Sequence, residues 1–473
     1  MMSSRAMSRF VKNPLQVAET IQQIFADDLH ARRVLSLANG VVGVLDAAVL
    51  SIHAIGRGYA HATNKSEKHG VKQTDRMVGN SGIDVWLLFQ PWARFVVGER
   101  KEIVVALDWT DFDGDDHATL AGYLITSHGR ATPLIWMTVP KSTLEGKRND
   151  HEYRVIERLH ACLDADVKIM LLADRGFGDQ KLYGFLETLG WDFVIRFRGN
   201  IKVESADGER KSAAEWVPPT GRATMIRKAR VTRTRAEVPA VVVVHGSAMK
   251  EAWCLATTLS ERKASEVVQL YARRFTIEET FRDQKDRRFG LGLSATRVGT
   301  PERRDRLLLL AAIAQALLTL LGAAGEQCGL DRLMKTNTSK KRTMSLFNQG
   351  INLYAAIPNM GEDRLAPLMK AFDQAVRGHE IFRAIFGRAA SQLRQSGVDY
   401  LRDLPFAAQP WVVGEPFVPF PPEKRHEKTC HRHALQRQEP APQNPRRTDR
   451  RHCSQTGLDV NDVLQRRRFP RRT

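Results

Sequence analysis

The chain has 473 residues, more than one hydrophobic core usually organises, so two or three structural units are expected. Lysine and arginine (72) outnumber aspartate and glutamate (53), which gives a net charge of +19 and a pI near 9.9. That excess favours a polyanionic partner, nucleic acid ahead of an anionic membrane surface. Five scattered cysteines, Cys162, Cys254, Cys328, Cys430 and Cys453, argue against a disulfide framework and for a reducing compartment. No secretory pattern is read near the start, so a cytoplasmic protein is expected.

In chain order, residues 14–80 read as helical, beginning at Asn13-Pro14 and running through VAETIQQIFADDLHARRVLSLANG. Strand-like runs follow at 102–107 (EIVVAL), 121–126 (AGYLIT) and 133–139 (PLIWMTV), with His128-Gly129 as a turn signal. HEYRVIERLHACLDA, 151–165, has a helical pattern. VKIMLLA, 167–173, is a continuous apolar run of the kind a strand buried on both faces shows. After another short helix, WDFVIRFR (191–198) supplies a fifth strand. The order predicts an α/β fold, a mixed sheet with flanking helices. Between 201 and 258, RATMIRKARVTRTR, AVVVVHG and AWCLATT are three further strand candidates.

Residues 307–325, LLLLAAIAQALLTLLGAAG, approach the length of a membrane span, but the run is alanine-rich and holds Gln315 and Thr319. It reads as a buried core helix, and no membrane partner is expected. From Pro421 onward periodicity is lost, with 14 basic and 6 acidic residues, a surplus of +8 that leaves +11 on the body. Such a composition does not fold on its own. Its adjacent Cys-His pairs do not match zinc-ligand spacings.

Asp108 directly follows EIVVAL and Asp174 directly follows VKIMLLA, so both carboxylates are expected at strand ends, where open sheets place ligands. If the two strands are neighbours, the carboxylates converge; taken alone, each is equally readable as a loop cap. The acidic run DFDGDDH, 111–117, fails as a calcium loop, because the required glycine position holds Asp116 and the twelfth position holds Gly122.

Residues 271–288, YARRFTIEETFRDQKDRR, carry two adjacent glutamates among cations. At ~100° per residue, Tyr271, Arg274, Glu278 and Lys285 share a stripe roughly 60° wide, with Leu270, Ile277 and Phe281 on the flank that would anchor the helix. Glu279 lies about 100° away. Position therefore selects Glu278. A glutamate joining two aspartates suits Mg²⁺, which prefers oxygen ligands, and paired metals activate a water or a 3′-hydroxyl at a phosphodiester. Arg274 and Lys285 would bind flanking phosphates, and the Tyr271 hydroxyl would add a hydrogen bond.

YARRFTIEETFRDQK matches Y-(2)-R-(3)-E-(6)-K without a gap, and the chain thereby resembles DDE transposases of the insertion-sequence-four family, the cut-and-paste group. ALDWT and LLADRGFGD are similar to that family's two aspartate segments, KHGVKQTDRMVGN (68–80) to a segment ahead of its catalytic domain, and RTMSLFNQG (342–350) to one near its end. Asn348 stands where a basic residue is expected. About residues 10–400 are covered. The resemblance implies a ribonuclease-H-like catalytic core with a β-rich insertion. It also implies Asp108, Asp174 and Glu278 as catalytic and metal-binding residues for Mg²⁺ or Mn²⁺, as a pair of ions. DNA contacts are expected at Tyr271, Arg274 and Lys285, and at Arg196 and Arg198 on the fifth strand. Trp253 looks like the tryptophan that stacks on a flipped base in hairpin-forming relatives; a packed ring in a small β-domain is the competing reading.

The expected units are an N-terminal helical DNA-binding unit (1–80), the first part of the catalytic core (81–200), the insertion (201–258), the second part of the core with the glutamate helix (259–330), a C-terminal helical region (331–420) and a basic tail (421–473). The implied function is cleavage of the inverted ends of a mobile element and joining to target DNA. Its implied setting is a homodimeric synapse on double-stranded DNA in the bacterial cytoplasm, associated with the nucleoid. Two alternatives are a nuclease of the same fold without joining activity and a catalytically inactive DNA-binding regulator of transposition.

Overall fold

The structure is a computed structural model, and it describes residues 14–378 apart from 26, 27, 127, 289 and 341. The basic tail and the last part of the expected C-terminal helical region lie outside the described residues.

Largely buried runs rich in apolar and β-branched residues build the first hairpins. β1 (Glu102–Phe112) pairs antiparallel with β2 (His117–Leu124), and β2 pairs antiparallel with β3 (Thr132–Pro140). Helix α6 (Arg148–Cys162) then crosses over to β4 (Lys168–Ala173), which lies parallel to β1; helix α7 (Gln180–Thr188) leads in the same way to β5 (Asp192–Phe197), parallel to β4. β4 is the continuous apolar run, and its place between β1 and β5 explains the composition.

The segment after β5 forms five strands rather than three: β6 (Lys202–Glu204), β7 (Arg210–Ser212), β8 (Thr224–Val231), β9 (Ala236–Val244) and β10 (Trp253–Thr257). β6 and β7 are too short to show alternation in sequence. These strands make no separate sheet. β10 pairs antiparallel with β5, and the order β3-β2-β1-β4-β5-β10-β9-β8-β6-β7 is one mixed, ten-stranded sheet.

Four helices occupy the stretch read as helical: α1 (Pro14–Phe25), α2 (Ala31–Ala47), α3 (Ile52–Thr63) and α4 (Glu67–Val78). A fifth, α5 (Val85–Val97), was not expected; it docks on β3 through the Trp92 indole N–H, which donates to Pro133 O at 2.9 Å. Glycines let these helices meet: a Cβ at Gly70 would stand 2.1 Å from Gly56 O, and one at Gly56 2.4 Å from Val71 Cα.

The apolar run at 307–325 lies in α10 (Pro301–Gln327), which is long and apolar enough to cross a bilayer, yet 94 % of its apolar window is buried inside the protein. It packs across the edge of the sheet. β3 is an edge strand, and the Asp305 carboxylate accepts the Thr138 N–H at 3.1 Å, satisfying an exposed ladder position. Arg306 donates to Ile83 O (2.8 Å) and Val78 O (3.1 Å), tying α10 to the end of α4. Leu310 lies against Gly40 and Met77 of the N-terminal helices. α11 (Leu346–Ala356) and α12 (Glu362–Gly378) complete the described chain.

Candidate active site

The register of β1 and β4 brings Asp108 and Asp174 side by side. The last pair of that parallel ladder is Leu107 with Ala173, and each aspartate is the next residue along its strand. Both therefore stand at the carboxyl end of the ladder, where open α/β sheets place ligands. Asp174 leaves the sheet, its Oδ1 accepting the Gly176 N–H at 2.7 Å. Asp108 does not leave it, contrary to the expectation of a strand ending at 107. β2 continues to support β1 on its other edge, Asp108 pairs with Ala121, and the strand runs on to Phe112.

The glutamate segment is not one regular helix either. It comprises α8 (Ala264–Ala272), a 3₁₀ turn over Arg273–Phe275, and α9 (Thr276–Lys285). A 3₁₀ turn advances ~120° per residue instead of ~100°, so a row drawn at constant pitch breaks there. Arg274 and Glu278 stay together, with Arg274 Nη2 donating to Glu278 Oε1 at 2.6 Å. Tyr271 is turned into the core, only 1 % exposed. Glu279 faces elsewhere and pairs with Arg282 and, at 3.8 Å, with Arg130.

α9 is fastened to the sheet along its length. Ile277 and Phe281 are buried, as the flank predicts, and Leu270 is partly buried against the core. Thr280 Oγ1 accepts the Ala131 N–H at 3.0 Å, Tyr123 donates to Gln284 Oε1 at 2.9 Å, and the Arg130 guanidinium pairs with the buried Asp283. Lys285 Nζ donates to Thr110 Oγ1 (3.0 Å) and Asp111 O (2.7 Å), so this lysine holds the end of α9 against the outer part of β1.

Between strands and helix stands Arg274, 5 % exposed. Its Nη1 donates to Asp108 Oδ2 at 2.9 Å while Nη2 holds Glu278, so one guanidinium bridges two of the three carboxylates. The Asp108 carboxyl is raised to about 6: burial is the largest cause, Arg274 acts against it, and Asp174 and Glu278 add to it. Burial alone would lower the Arg274 pKa, but the groups around it, Tyr271, Asp108, Glu278 and Asp174, raise it overall. Three hard oxygen donors suit a divalent cation in type. In the arrangement present, Arg274 supplies the positive charge, and among the described residues no three acidic, histidine or cysteine side chains are gathered closely enough to hold an ion.

The remaining expected residues lie around this centre. Trp253 is half-buried on β10, its ring 5.1 Å from Tyr271 in an edge-on contact and 5.8 Å from Phe275. The ring thus packs against the glutamate segment. Arg196 pairs with Glu251 at 2.8 Å, and Arg198, just past β5, is exposed. Some 320 Å³ of open groove lies on the N-terminal helices, lined by Ser36, His69, Lys72, Gln73, Arg76 and Asn80. Among the described residues neither Lys72 nor Arg76 has a carboxylate within ion-pair distance. These cations sit in KHGVKQTDRMVGN at the three- and four-residue spacing of one helix face.

One residue near the centre escaped the sequence reading. Glu152 on α6 is 4 % exposed and accepts the Trp109 indole N–H at 2.8 Å. The signal was present: Glu152 shares the apolar stripe of Val155, Ile156 and Leu159, where an acid is out of place.

No curated protein matches the chain. Residues 99–317, a span that includes Asp108, Asp174 and Glu278, match the family model described as the transposase DDE domain, and this match supports a transposase enzyme of the DDE class.

Proposed function

We propose that the protein binds the terminal inverted repeats of an insertion sequence, cuts the DNA there and joins the freed 3′-ends to a target, as the cut-and-paste members of the insertion-sequence-four family do. The observation that carries this reading is the convergence of Asp108 and Asp174 at the ends of one parallel ladder, with Glu278 tied to Asp108 through Arg274. Strand order β3-β2-β1-β4-β5 agrees with a ribonuclease-H-like core.

Asp108, Asp174 and Glu278 would have to draw closer than they stand here, past the Arg274 bridge, to hold Mg²⁺ or Mn²⁺ as a pair of ions; bound there, the metal would supply activation of a water or 3′-hydroxyl and relief of charge on the leaving oxygen. Arg274 offsets part of the charge of Asp108 and Glu278 beforehand and would be available to a phosphate entering the site. Lys72 and Arg76, in an open groove and with no ion pair among the described residues, suit the phosphodiester backbone of double-stranded DNA, as does the overall charge. Exposed Arg198 would add a contact beside the sheet. A homodimer pairing two ends, in the bacterial cytoplasm at the nucleoid, completes the proposal.

The test is cleavage of a duplex carrying the element's own end, taken from the DNA flanking the coding region, with Mg²⁺ present. Wild type should nick the end and join it. Asp108→Ala, Asp174→Ala and Glu278→Ala should bind the duplex and not cut it. Cutting without joining by wild type would favour the nuclease, and binding without cutting the regulator.

A further inference from the structure

β1 is held on both edges only as far as Leu107. Beyond it the β4 ladder has ended, and the stretch from Asp108 to Phe112 is paired on the β2 side alone. Asp108, whose position matters most, is thus the first residue of a strand segment that has lost half its support.

Glu152 holds that segment at Trp109, the residue after Asp108. Its Oε1 accepts the indole N–H of Trp109, and the Trp109 backbone N–H is in turn donated to Asp108 Oδ1 at 2.9 Å. Arg148, one turn earlier on α6, lies over the Trp109 ring at 5.0 Å. Successive strand side chains point to opposite faces. Trp109 is therefore gripped from the α6 side while Asp108 meets Arg274 on the other.

A carboxyl is a costly way to fill an apolar stripe, because burying it without a cation in contact opposes folding. The groups that face Glu152 are the Trp109 N–H, Arg148 on its own helix, and Asp174 and Asp179 from the loop after β4; burial, the largest cause, raises its pKa to about 7, with Trp109 and Arg148 acting against it and the two aspartates with it. Valine or leucine would pack there at less cost. What an apolar residue cannot do is accept the indole hydrogen.

We propose that Glu152 is a positioning residue: through the Trp109 indole it tethers β1 past the end of the β4 ladder and so fixes the carboxylate of Asp108. The consequence for cleavage rests on the transposase reading given above; the tether itself does not. The amide oxygen of Glu152→Gln can still accept the indole hydrogen, whereas Glu152→Ala and Trp109→Phe each remove one half of the bond.

The experiment uses the full chain and two readouts. Hydrogen exchange of the peptide covering residues 107–112 should be faster in Glu152→Ala and Trp109→Phe and close to wild type in Glu152→Gln, with peptides of α9 unchanged. Mg²⁺-dependent cleavage of end DNA should fall roughly ten- to a hundredfold in the first two variants, the range for groups that orient a ligand. DNA affinity should stay within about twofold, Glu152→Gln within about threefold, and the double variant should be no worse than either single one. Unchanged exchange at 107–112 in Glu152→Ala overturns the tether whether or not the protein cuts DNA. Additive losses in the double variant, or a Glu152→Gln as impaired as Glu152→Ala, overturn the route through the indole. Should Glu152→Ala not fold, Trp109→Phe and Glu152→Gln carry the same comparison. Faster exchange in Glu152→Ala and Trp109→Phe, together with a wild type that cuts no end DNA, keeps the tether and removes the transposase reading.

Discussion

Two acidic regions meet β1 within a few residues of each other, one at Asp108 and one from Asp111 onward, and behave in opposite ways. The run 111–116 holds four aspartates, and each is answered: Asp111 and Asp113 by Lys141 (2.7 and 2.5 Å), Asp115 by Arg304 and Arg297, and Asp116 by the N–H and hydroxyl of Ser142. In the other region, Asp108 with Asp174 and Glu278, the Arg274 guanidinium pairs with Asp108 and Glu278 only. Among the described residues no cation comes within ion-pair distance of Asp174. Acidic density alone therefore says little about function here; the acids left short of compensation mark the centre. Burial raises the Asp108 pKa for the same reason that a divalent cation would be welcome there.

The sharpest way to break this comparison is to remove acids from both regions. Asp108→Asn, Asp174→Asn and Glu278→Gln should each lower cleavage by more than the roughly 10–100-fold typical of losing a group that only orients a ligand. Asp113→Ala, a few residues on, should leave cleavage within about twofold, because it removes an exposed pair with Lys141. A rate for Asp113→Ala as low as that for Asp108→Asn, with fold and DNA binding intact, would erase the distinction.

Within the answered region, depth decides the cost. Arg304 has no exposed side-chain surface, and Asp115 is its carboxylate partner; the guanidinium also lies 3.8 Å from the Phe112 ring centroid. Asp115→Ala strands a buried cation and should destabilise by about 3–5 kcal/mol in chemical denaturation. Asp115→Leu combined with Arg304→Met should regain most of that loss. If the double variant is no more stable than the single one, the pair is not what the stability depends on.

How much of this was legible in the sequence follows from which interactions are local. The five core strands and the helices between them were readable because β-periodicity and helical stripes are carried by neighbouring residues. The strand end at 107 was misjudged because β1 is prolonged by pairing with β2, Asp108 to Ala121 through Phe112 to His117, which the residues up to 107 do not carry. The constant helical pitch assumed across 271–285 failed at a 3₁₀ turn that no residue in RRF announces, and Tyr271 went into the core as a result. Glu278 could still be told from Glu279, since the Arg274–Glu278 spacing lies wholly across that turn's end. Arg274 bridging Asp108 and Glu278 was not legible at all. It depends on the packing of α9 over β1, which Thr280, Gln284 and Lys285 fix through long-range hydrogen bonds.

A third acid tests burial with no ion pair to it among the described residues. Asp305 is half-buried at the edge of β3, accepts the Thr138 N–H, and is pushed up to about 8, burial being the first cause. Its folded pKa lies above its unfolded value, so the folded state holds the proton longer. The stability this group contributes is greatest below pH about 4 and falls as pH rises toward 8, by at most about 1.4 kcal/mol per pH unit. Asp305→Asn cannot titrate, so the melting temperature of the variant minus that of wild type should climb between pH 5 and 8. A difference that stays flat with pH would show that Asp305 is not held protonated.

The smallest effect is expected at Glu279, the neighbour of the glutamate that matters. Its side chain is 41 % exposed and pairs with Arg282 one turn on and, loosely, with Arg130. Arg130 does not depend on it, because Asp283 holds that guanidinium at the buried end of the contact. An exposed pair on a helix contributes about 0.3–0.5 kcal/mol and is screened by salt. Glu279→Ala should therefore shift stability by no more than that, with cleavage and end binding within about twofold of wild type. The same substitution one position earlier removes a carboxylate that faces Asp108 through Arg274. Measured side by side on one duplex, the two variants isolate position from charge, since both lose one glutamate from one turn of α9. Equal losses of cleavage, with both proteins folded and bound, would show that the charge of the helix and not the place of Glu278 governs the reaction.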